Sequence, residues 1–423
     1  MNQYSKYKDT GIDLIREIPE HWEITRLKRV TLLLYGESLS NENRTDGSVP
    51  VYGSNGITGY HDKAITTYPC IVIGRKGSFG KVNYSEGKCF PIDTTFYIDT
   101  TATSNDIRWL YYLLLSLKLD SFSKDSAVPG LNREEVYERI VPLPPPLEQN
   151  TIACYLDHKT NQIDILVEKK QKLIELLKEY RTAIINHAVT KGLNPNVKMK
   201  DSGIEWLGKI PEHWEVQPLK FLCEIVLGKM LTNDDRGEYL RKPYLRAQNI
   251  TWEKVDTDDI KEMWFSQNEL NQYRLKKNDL LVSEGGEVGR TALWRNELPE
   301  CYIQNSVHKV TMHPEYNPYY YLYHFQAYGK TGFFEAIVNR VSIGHLTREK
   351  LKDIKFLSPP SSEQDEIAEY LQQKTQEIDS LIEKHNKSIE FLNEYRTSLI
   401  SQVVTGKIDV RKSSDEQKRD SVN

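Results

Sequence analysis

The chain contains itself twice. Residues 9–28, DTGIDLIREIPEHWEITRLK, return at 201–220 as DSGIEWLGKIPEHWEVQPLK, with 11 of 20 positions identical and the string IPEHWE intact at Ile18–Glu23 and Ile210–Glu215. Residues 148–190 return at 363–405 with 24 of 43 positions identical. The offset is 192 residues for the first pair and 215 for the second, so the second half carries 23 more residues between its shared parts. A repeat of this length restricts a 423-residue chain to two copies of one architecture. Neutral drift spreads differences evenly, whereas here they gather in the middle of each copy. Shared parts then keep a scaffold or a common partner, and the middles meet different things.

The second repeated segment reads as a long helix. Residues 148–190 and 363–405 contain no Gly or Pro; Pro144, Pro145 and Pro146 stand before one, Pro359 and Pro360 before the other. Prolines end a preceding helix. Ser361 and Ser362 suit an N-cap, and Gly192 and Gly406 suit helix stops. A heptad seam runs through Ile152, Leu156, Ile163, Leu166 and Leu177, with Leu173, Tyr180 and Ile184 in the same register. Its counterpart runs through Ile367, Leu371, Ile378, Leu381 and Leu392, with Tyr395 and Leu399. Lys159 and Lys374 are matching polar breaks suited to fixing register. The expectation is two helices of roughly 64 Å, paired antiparallel within the chain as a coiled coil. The alternative for this seam is one that only drives homodimerisation.

The diverged segments mix short β-like runs with turns. VPVYGSNGITGYHD (Val49–Asp62) places Gly-Ser-Asn-Gly between Tyr52 and Ile57, and CIVIGRKGSFGKVNY (Cys70–Tyr84) places a basic Gly-rich loop between two strands. DLLVSEGGEVGRTALW (Asp279–Trp294) has the same shape, with Gly286 and Gly289 answering Gly77 and Gly80. Each segment continues into an aromatic helix, from Trp109 or Tyr319, and a short capped helix at Leu131–Glu134 or Leu346–Glu349. The glycines allow tight turns and close backbone approach. Arg75, Lys76, Lys81, Arg290 and Arg295 have the chemistry for phosphates or guanine edges, and Asn55, Gln248 and Asn249 the amide chemistry that suits adenine. Tyr52, Ser54, Ser78, Arg246, Glu284 and Glu287 flank the same loops and complete the candidate set. The equivalent loops differ in polar content, RKGSFG against EGGEVG.

Other classes fare worse. Net charge is −4, unlike a dedicated DNA binder, yet phosphates respond to local patches and not to the sum. The 25 tyrosines suit polar interfaces as well as cores. Five scattered cysteines contain no C-x-x-C pair, which argues against a zinc site or a disulfide framework. The polar MNQYSKYKDT start and the lack of an apolar run of about 18 residues point to the cytoplasm, with no membrane association. No phosphate-binding G-x-x-x-x-G-K-[ST] is present. NPYY (Asn317–Tyr320) lacks the second proline of an adenine methyltransferase motif and reads better as an N-cap followed by proline at the first helical position. His21 and His213 recur without a companion nucleophile and read as packed beside Trp22 and Trp214.

The twin IPEHWE strings, the twin EQ…IA.YL…K…ID.L.EK…EYRT..I…VT helices and the two Gly loops together resemble the specificity subunit of type I restriction–modification systems, over residues 9–408. The resemblance implies an α+β fold: target recognition domains at 1–147 and 193–362, long helices at 148–192 and 363–408, and a polar, disordered tail at 409–423. It implies that each domain reads one half of an asymmetric bipartite DNA target. The helices would set the gap and recruit two adenine-N6 methyltransferase subunits, with restriction subunits added. The chain itself would be non-catalytic and cofactor-free; S-adenosylmethionine, ATP and magnesium would sit on the partners. The competing reading is a coiled-coil adaptor without sequence-specific DNA binding.

Overall fold

A computed structural model describes residues 3–12, 15–121, 130–204, 207–235, 237–338 and 344–411. Most of the polar tail expected at 409–423 lies outside the described residues. Two compact units form: residues up to 171 together with those from 386 onward, and residues 172–385. The division runs through both long helices and not at their ends.

Each unit repeats the same α+β plan. In the first, a four-stranded antiparallel sheet orders Leu34–Tyr35, Thr95–Ile98, Cys70–Gly74 and Val82–Ser85. In the second, the order is Cys223–Leu227, Val307–Met312, Leu280–Ser283 and Thr291–Leu293. A three-stranded sheet accompanies each, with Val49–Gly53 or Leu240–Leu245 in the centre and Phe90–Pro91 or Tyr302–Ile303 as its parallel neighbour. The central strands CIVIG and LLVS are buried at every position, as continuous apolar runs require. IPEHWE lies at the start of both units: Glu23–Arg26 pairs with Ile140–Leu143, and Glu215–Pro218 pairs with Lys355–Ser358. The extra length of the second unit includes the helix Gln267–Tyr273, between the strands Lys261–Phe265 and Leu280–Ser283.

The long helices span Pro146–Lys191 and Ser361–Val404, about 69 and 66 Å at 1.5 Å per residue. Each begins two residues before the expected 148 and 363. Proline is tolerated in the first turn because its missing N–H would be unpaired there anyway. Ser361 and Ser362 therefore lie inside the helix, and the carbonyl of Pro360 accepts the first bonds, from Glu363 and Gln364. Gly192 and Gly406 follow the last turns at φ +77° and +75°.

Each unit's core takes the start of one long helix and the end of the other. The first packs Ile152, Leu156 and Ile163 with Leu399, Ile400 and Val403. The second packs Ile367, Leu371 and Ala368 with Ile185, Ala188 and Val189. Ile378 is also buried, and Leu177 and Leu392 are half-buried. Leu166 and Leu381 depart from the expected seam, at 42% and 43% exposed; Val167 and Ile382, one residue on, turn inward in their place. Ile174 likewise replaces Leu173, and Ile185 is buried beside a half-buried Ile184 that still packs on the core. The inward stripe advances at the 3.6-residue period of a straight helix and so leaves a strict 3.5-residue seam behind.

Lys159 and Lys374 pair with Gln162 and Glu377 on their own helices and so do not lock the register. The lock is ionic. In the first unit Arg396 meets Asp164 at 3.4 Å; in the second Arg181 meets Asp379 at 3.1 Å. These four residues belong to the repeated ID and EYRT strings, which gives the strings a physical purpose.

Candidate nucleic-acid interface

Two joints fix each variable segment to its helix. Nε2 of His21 lies 2.8 Å from Glu148, and Nε2 of His213 lies 2.8 Å from Glu363. These side chains are 43% and 45% exposed, so they are hydrogen-bonded surface joints and not the packed residues expected beside the buried Trp22 and Trp214. The neighbouring glutamines form the second joint. Gln149 accepts from the backbone N–H of Asp106, and Gln364 from that of Asn317. Asp106 and Asn317 are the N-caps of the aromatic helices Ile107–Ser116 and Pro318–Lys330. The repeated EQ dipeptide thus grips both IPEHWE and the aromatic helix.

The Gly-rich loops occupy the same place in both units, residue for residue. Gly74 N–H donates to Lys81 O and Ser283 N–H to Arg290 O; Gly80 N–H donates to Gly74 O and Gly289 N–H to Ser283 O. Arg75 N–H donates to Thr94 O, and Glu284 N–H to Ser306 O. Leu131 N–H closes onto Arg75 O, as Leu346 N–H closes onto Glu284 O, both at 2.8 Å. Arg75 therefore corresponds to Glu284, Ser78 to Glu287 and Lys81 to Arg290. Gly77 and Gly286 sit at the loop tips at φ +71° and +73° with open space where a Cβ would go. Gly80 and Gly289 face inward, onto the Leu119–Asp120 backbone and the Phe334 ring.

The candidate residues divide by what already engages them. In the first unit Lys76, Ser78, Lys81 and Asn55 are exposed, and the Lys81 ammonium donates to the Asn55 backbone and side-chain oxygens. Arg75 is half-buried; its Nη2 donates to Asp93 O, and its plane lies over Tyr35 and Phe96, 5.2 and 5.8 Å from the ring centres. In the second unit Gln248 and Glu287 are exposed; Glu287 accepts from Trp252 Nε1 and from Arg290, and Arg290 also donates to Ala247 O. Arg246 is tied to Asp259, and Gln248 donates weakly to the same carboxylate. Arg246 and Lys261 together hold the Asp259 carboxyl below its ordinary range. Glu284 is half-buried; burial pushes its carboxyl up, against the opposing influence of His345.

Three candidates are turned inward. Tyr52 packs with Cys70, Val72 and Cys89 because its strand directs it into the sheet's covered face, and burial pushes its phenol up. The Ser54 hydroxyl is bound to Thr94 O at 2.7 Å. Asn249 is 2% exposed; its amide donates to Asp256 O and Asp259 O, and its oxygen accepts from Arg246 N–H. These residues shape the loops from within. Arg295 is exposed, and its Nη1 donates to the carbonyls of Glu253 and Leu293. The joints at Glu148, Gln149, Glu363 and Gln364 are absent from the sequence-derived set.

Two copies of one scaffold presenting divergent loops define a protein of paired recognition domains. The sequence matches the family described as Type I restriction modification DNA specificity domain over residues 19–176 and 211–391. It is 27% identical over 318 residues to the MjaVIII specificity subunit of Methanocaldococcus jannaschii, covering 71% of this chain and 70% of that one. It is 23% identical over 435 residues to the EcoKI specificity subunit of Escherichia coli K12, covering 93% and 90%. Among solved structures, a chain from work on assembly and conformational transition of the type I R-M system superposes with a TM-score of 0.71 at 14% identity, covering 92% of this chain and 99% of that one. The HsdS subunit of Thermoanaerobacter tengcongensis superposes at 0.56 with 15% identity, covering 92% and 98%. The chain belongs to the type I restriction–modification specificity subunits, a generally non-catalytic family of DNA-recognition components that work within a complex.

Proposed function

We propose that each unit reads one half of an asymmetric, bipartite DNA target, through the loop cluster built on Arg75–Lys81 in one unit and Glu284–Arg290 in the other. One observation carries this reading: the two loops share four backbone bonds at equivalent positions, while their side chains differ in charge. A scaffold kept constant under changing polar groups is what two different base sequences demand. Phosphate contacts position such a protein and base-edge contacts specify the target. The exposure of Lys76 and Lys81 supports giving them the first task.

The long helices act as the ruler for the gap and as the docking surface for two adenine-N6 methyltransferase subunits, with restriction subunits added to the complex. Ile165, Leu166, Phe391 and Tyr395 in one unit, and Leu173, Leu176, Tyr180 and Leu381 in the other, are exposed on these helices. Exposed apolar side chains of this number on regular helices favour a protein partner. S-adenosylmethionine, ATP and magnesium belong to the partners, and the complex acts in the cytoplasm.

The test is co-expression with a type I methyltransferase subunit encoded beside this chain, in a host lacking adenine methylation, followed by genome-wide mapping of N6-methyladenine. The expected result is one split, asymmetric motif of fixed gap that needs this chain. Methylation that is absent, or indifferent to this chain, overturns the reading.

A further inference from the structure

The backbone equivalence of the two loops isolates one position where the chemistry inverts. Arg75 and Glu284 are the first residues after the buried strands Cys70–Gly74 and Leu280–Ser283. Each donates its N–H to the equivalent carbonyl, Thr94 or Ser306, and accepts from the equivalent leucine, Leu131 or Leu346. The backbone is therefore fixed on both sides of each residue, and only the side chain differs.

Both side chains are half-buried and incompletely satisfied. Arg75 is braced on the Tyr35 and Phe96 rings, and only Nη2 has a partner, Asp93 O; Nε is buried with none among the described residues. The carboxylate of Glu284 has no hydrogen bond or ion pair among the described residues, whereas the neighbouring Glu287 is held by Trp252 and Arg290. Arg75, braced on the rings with donors uncommitted, has little side-chain entropy left to lose on binding, and Glu284 offers a partly desolvated carboxylate with its acceptor capacity unused among the described residues.

Resting on the reading that these loops meet DNA, we infer that Arg75 and Glu284 are the specificity-determining pair, reading base pairs of opposite orientation at equivalent positions of the two half-sites. A guanidinium offers donors only and matches guanine O6 and N7; a carboxylate offers acceptors only and matches the cytosine amino group. The first half-site then carries G·C, and the second C·G, at the pair each residue meets. Two halves that differ here cannot form a palindrome on this scaffold.

The experiment maps N6-methyladenine for the complex of full-length chain and methyltransferase subunit, with wild type, Arg75→Glu and Glu284→Arg. Glu284→Arg is expected to invert one C·G pair to G·C in one half and leave the other half and the gap unchanged. Arg75→Glu does the reverse in the other half. Because a charge reversal can impair folding, Arg75→Ala and Glu284→Ala are purified in complex and selected against duplexes randomised across both half-sites. Each should lose discrimination at one G·C-type position, by roughly the 5- to 150-fold that a good base contact supplies. Motifs and selected pools identical to wild type in all variants, or changes confined to A·T pairs, overturn the assignment while leaving DNA reading intact. A wild-type complex that methylates no motif defeats the underlying reading instead.

Discussion

Seven residues beyond their caps, the two aromatic helices differ in an instructive way. The first unit has Leu113, 1% exposed; the second has His324, fully buried. The strand packed nearby differs in step. In the first unit Pro142 stands opposite Ile24; in the second Leu357 stands opposite Val216. Proline has no N–H to satisfy, so a leucine neighbour is adequate. Leu357 has one, and it donates to His324 Nε2 at 3.3 Å. The backbone donor is removed in one copy and given an acceptor in the other, although an imidazole accepting at Nε2 carries its proton on Nδ1, which is buried with no partner among the described residues. Scaffold residues thus diverge in compensating pairs. The loop residues Arg75 and Glu284 diverge without such a matched pair among the described residues: Arg75 leaves donors uncommitted and the Glu284 carboxylate accepts no hydrogen bond there, which is what reading an external partner predicts.

The largest effects should come where the two copies agree most. A Cβ added at Gly80 would lie 2.2 Å from Asp120 N, and one added at Gly289 would lie 2.3 Å from the Phe334 ring, both at φ +76°. Left-handed backbone and overpacking together should cost roughly 2–5 kcal/mol for Gly80→Ala or Gly289→Ala. Gly77→Ala and Gly286→Ala meet open space and should cost only about 1–2 kcal/mol. Urea unfolding of the four variants ranks them; equal losses at Gly77 and Gly80 would break the distinction between tip and inward glycine, and unequal losses at Gly80 and Gly289 would break the structural equivalence of the loops.

Acid should separate the copies next. Burial pushes the His324 imidazole down to about 3, and burial lowers His308 as well, against the bond it makes with Leu346 O. The unfolded chain takes up the proton below about 6.5 and the folded one does not. The stabilisation from neutral His324 is therefore complete above pH 6.5 and is lost as pH falls towards 3, at about 1.4 kcal/mol per unit. Between pH 6.5 and 5 that amounts to about 2 kcal/mol, borne by the second unit. Hydrogen exchange on the whole chain, corrected for intrinsic rates, should show Lys355–Ser358 losing protection over this range while Ile140–Leu143 holds. His324→Leu should flatten the pH response; an unchanged slope would show that this histidine is not its source.

The sequence made the plan of the molecule legible and left its joints obscure. The repeat, the helices and the matched Gly77/Gly80 and Gly286/Gly289 loops could be read because each is a local pattern. The inward face of the long helices could not, since a 3.6-residue stripe drifts about 20° per heptad from a 3.5-residue seam, and along the helix Val167 comes to lie further inward than Leu166. His21 and Glu148 are 127 residues apart, His213 and Glu363 are 150 apart, and nothing local joins them. The signal was that both members recur, His with IPEHWE and Glu with the helix. Asn249 misled because a loop amide looks available, and only the fold reveals that Asp256, Asp259 and Arg246 occupy it.

The smallest predicted difference concerns an ionic device that recurs in both copies. Arg396 binds Asp164 alone among the described residues; Arg396 is half-buried, at 32% exposed, and Asp164 is well exposed, at 59%. Arg181 binds Asp379 and also the Glu253 carboxylate, which is only 18% exposed. Removing Arg396 exposes a solvated carboxylate to water and should cost about 0.5 kcal/mol. Removing Arg181 strands a partly desolvated one and should cost about 1–2 kcal/mol. Salt should discriminate further, since an exposed pair is screened at 0.5 M and a sheltered one much less. Urea denaturation of Arg181→Ala and Arg396→Ala at low and high salt measures both terms. If the Arg396 variant proves equally costly, the pair at Asp164 is sheltered by more than its own unit provides. If the Arg181 variant is nearly neutral, Glu253 is not held by it, and the second copy's lock is no stronger than the first's.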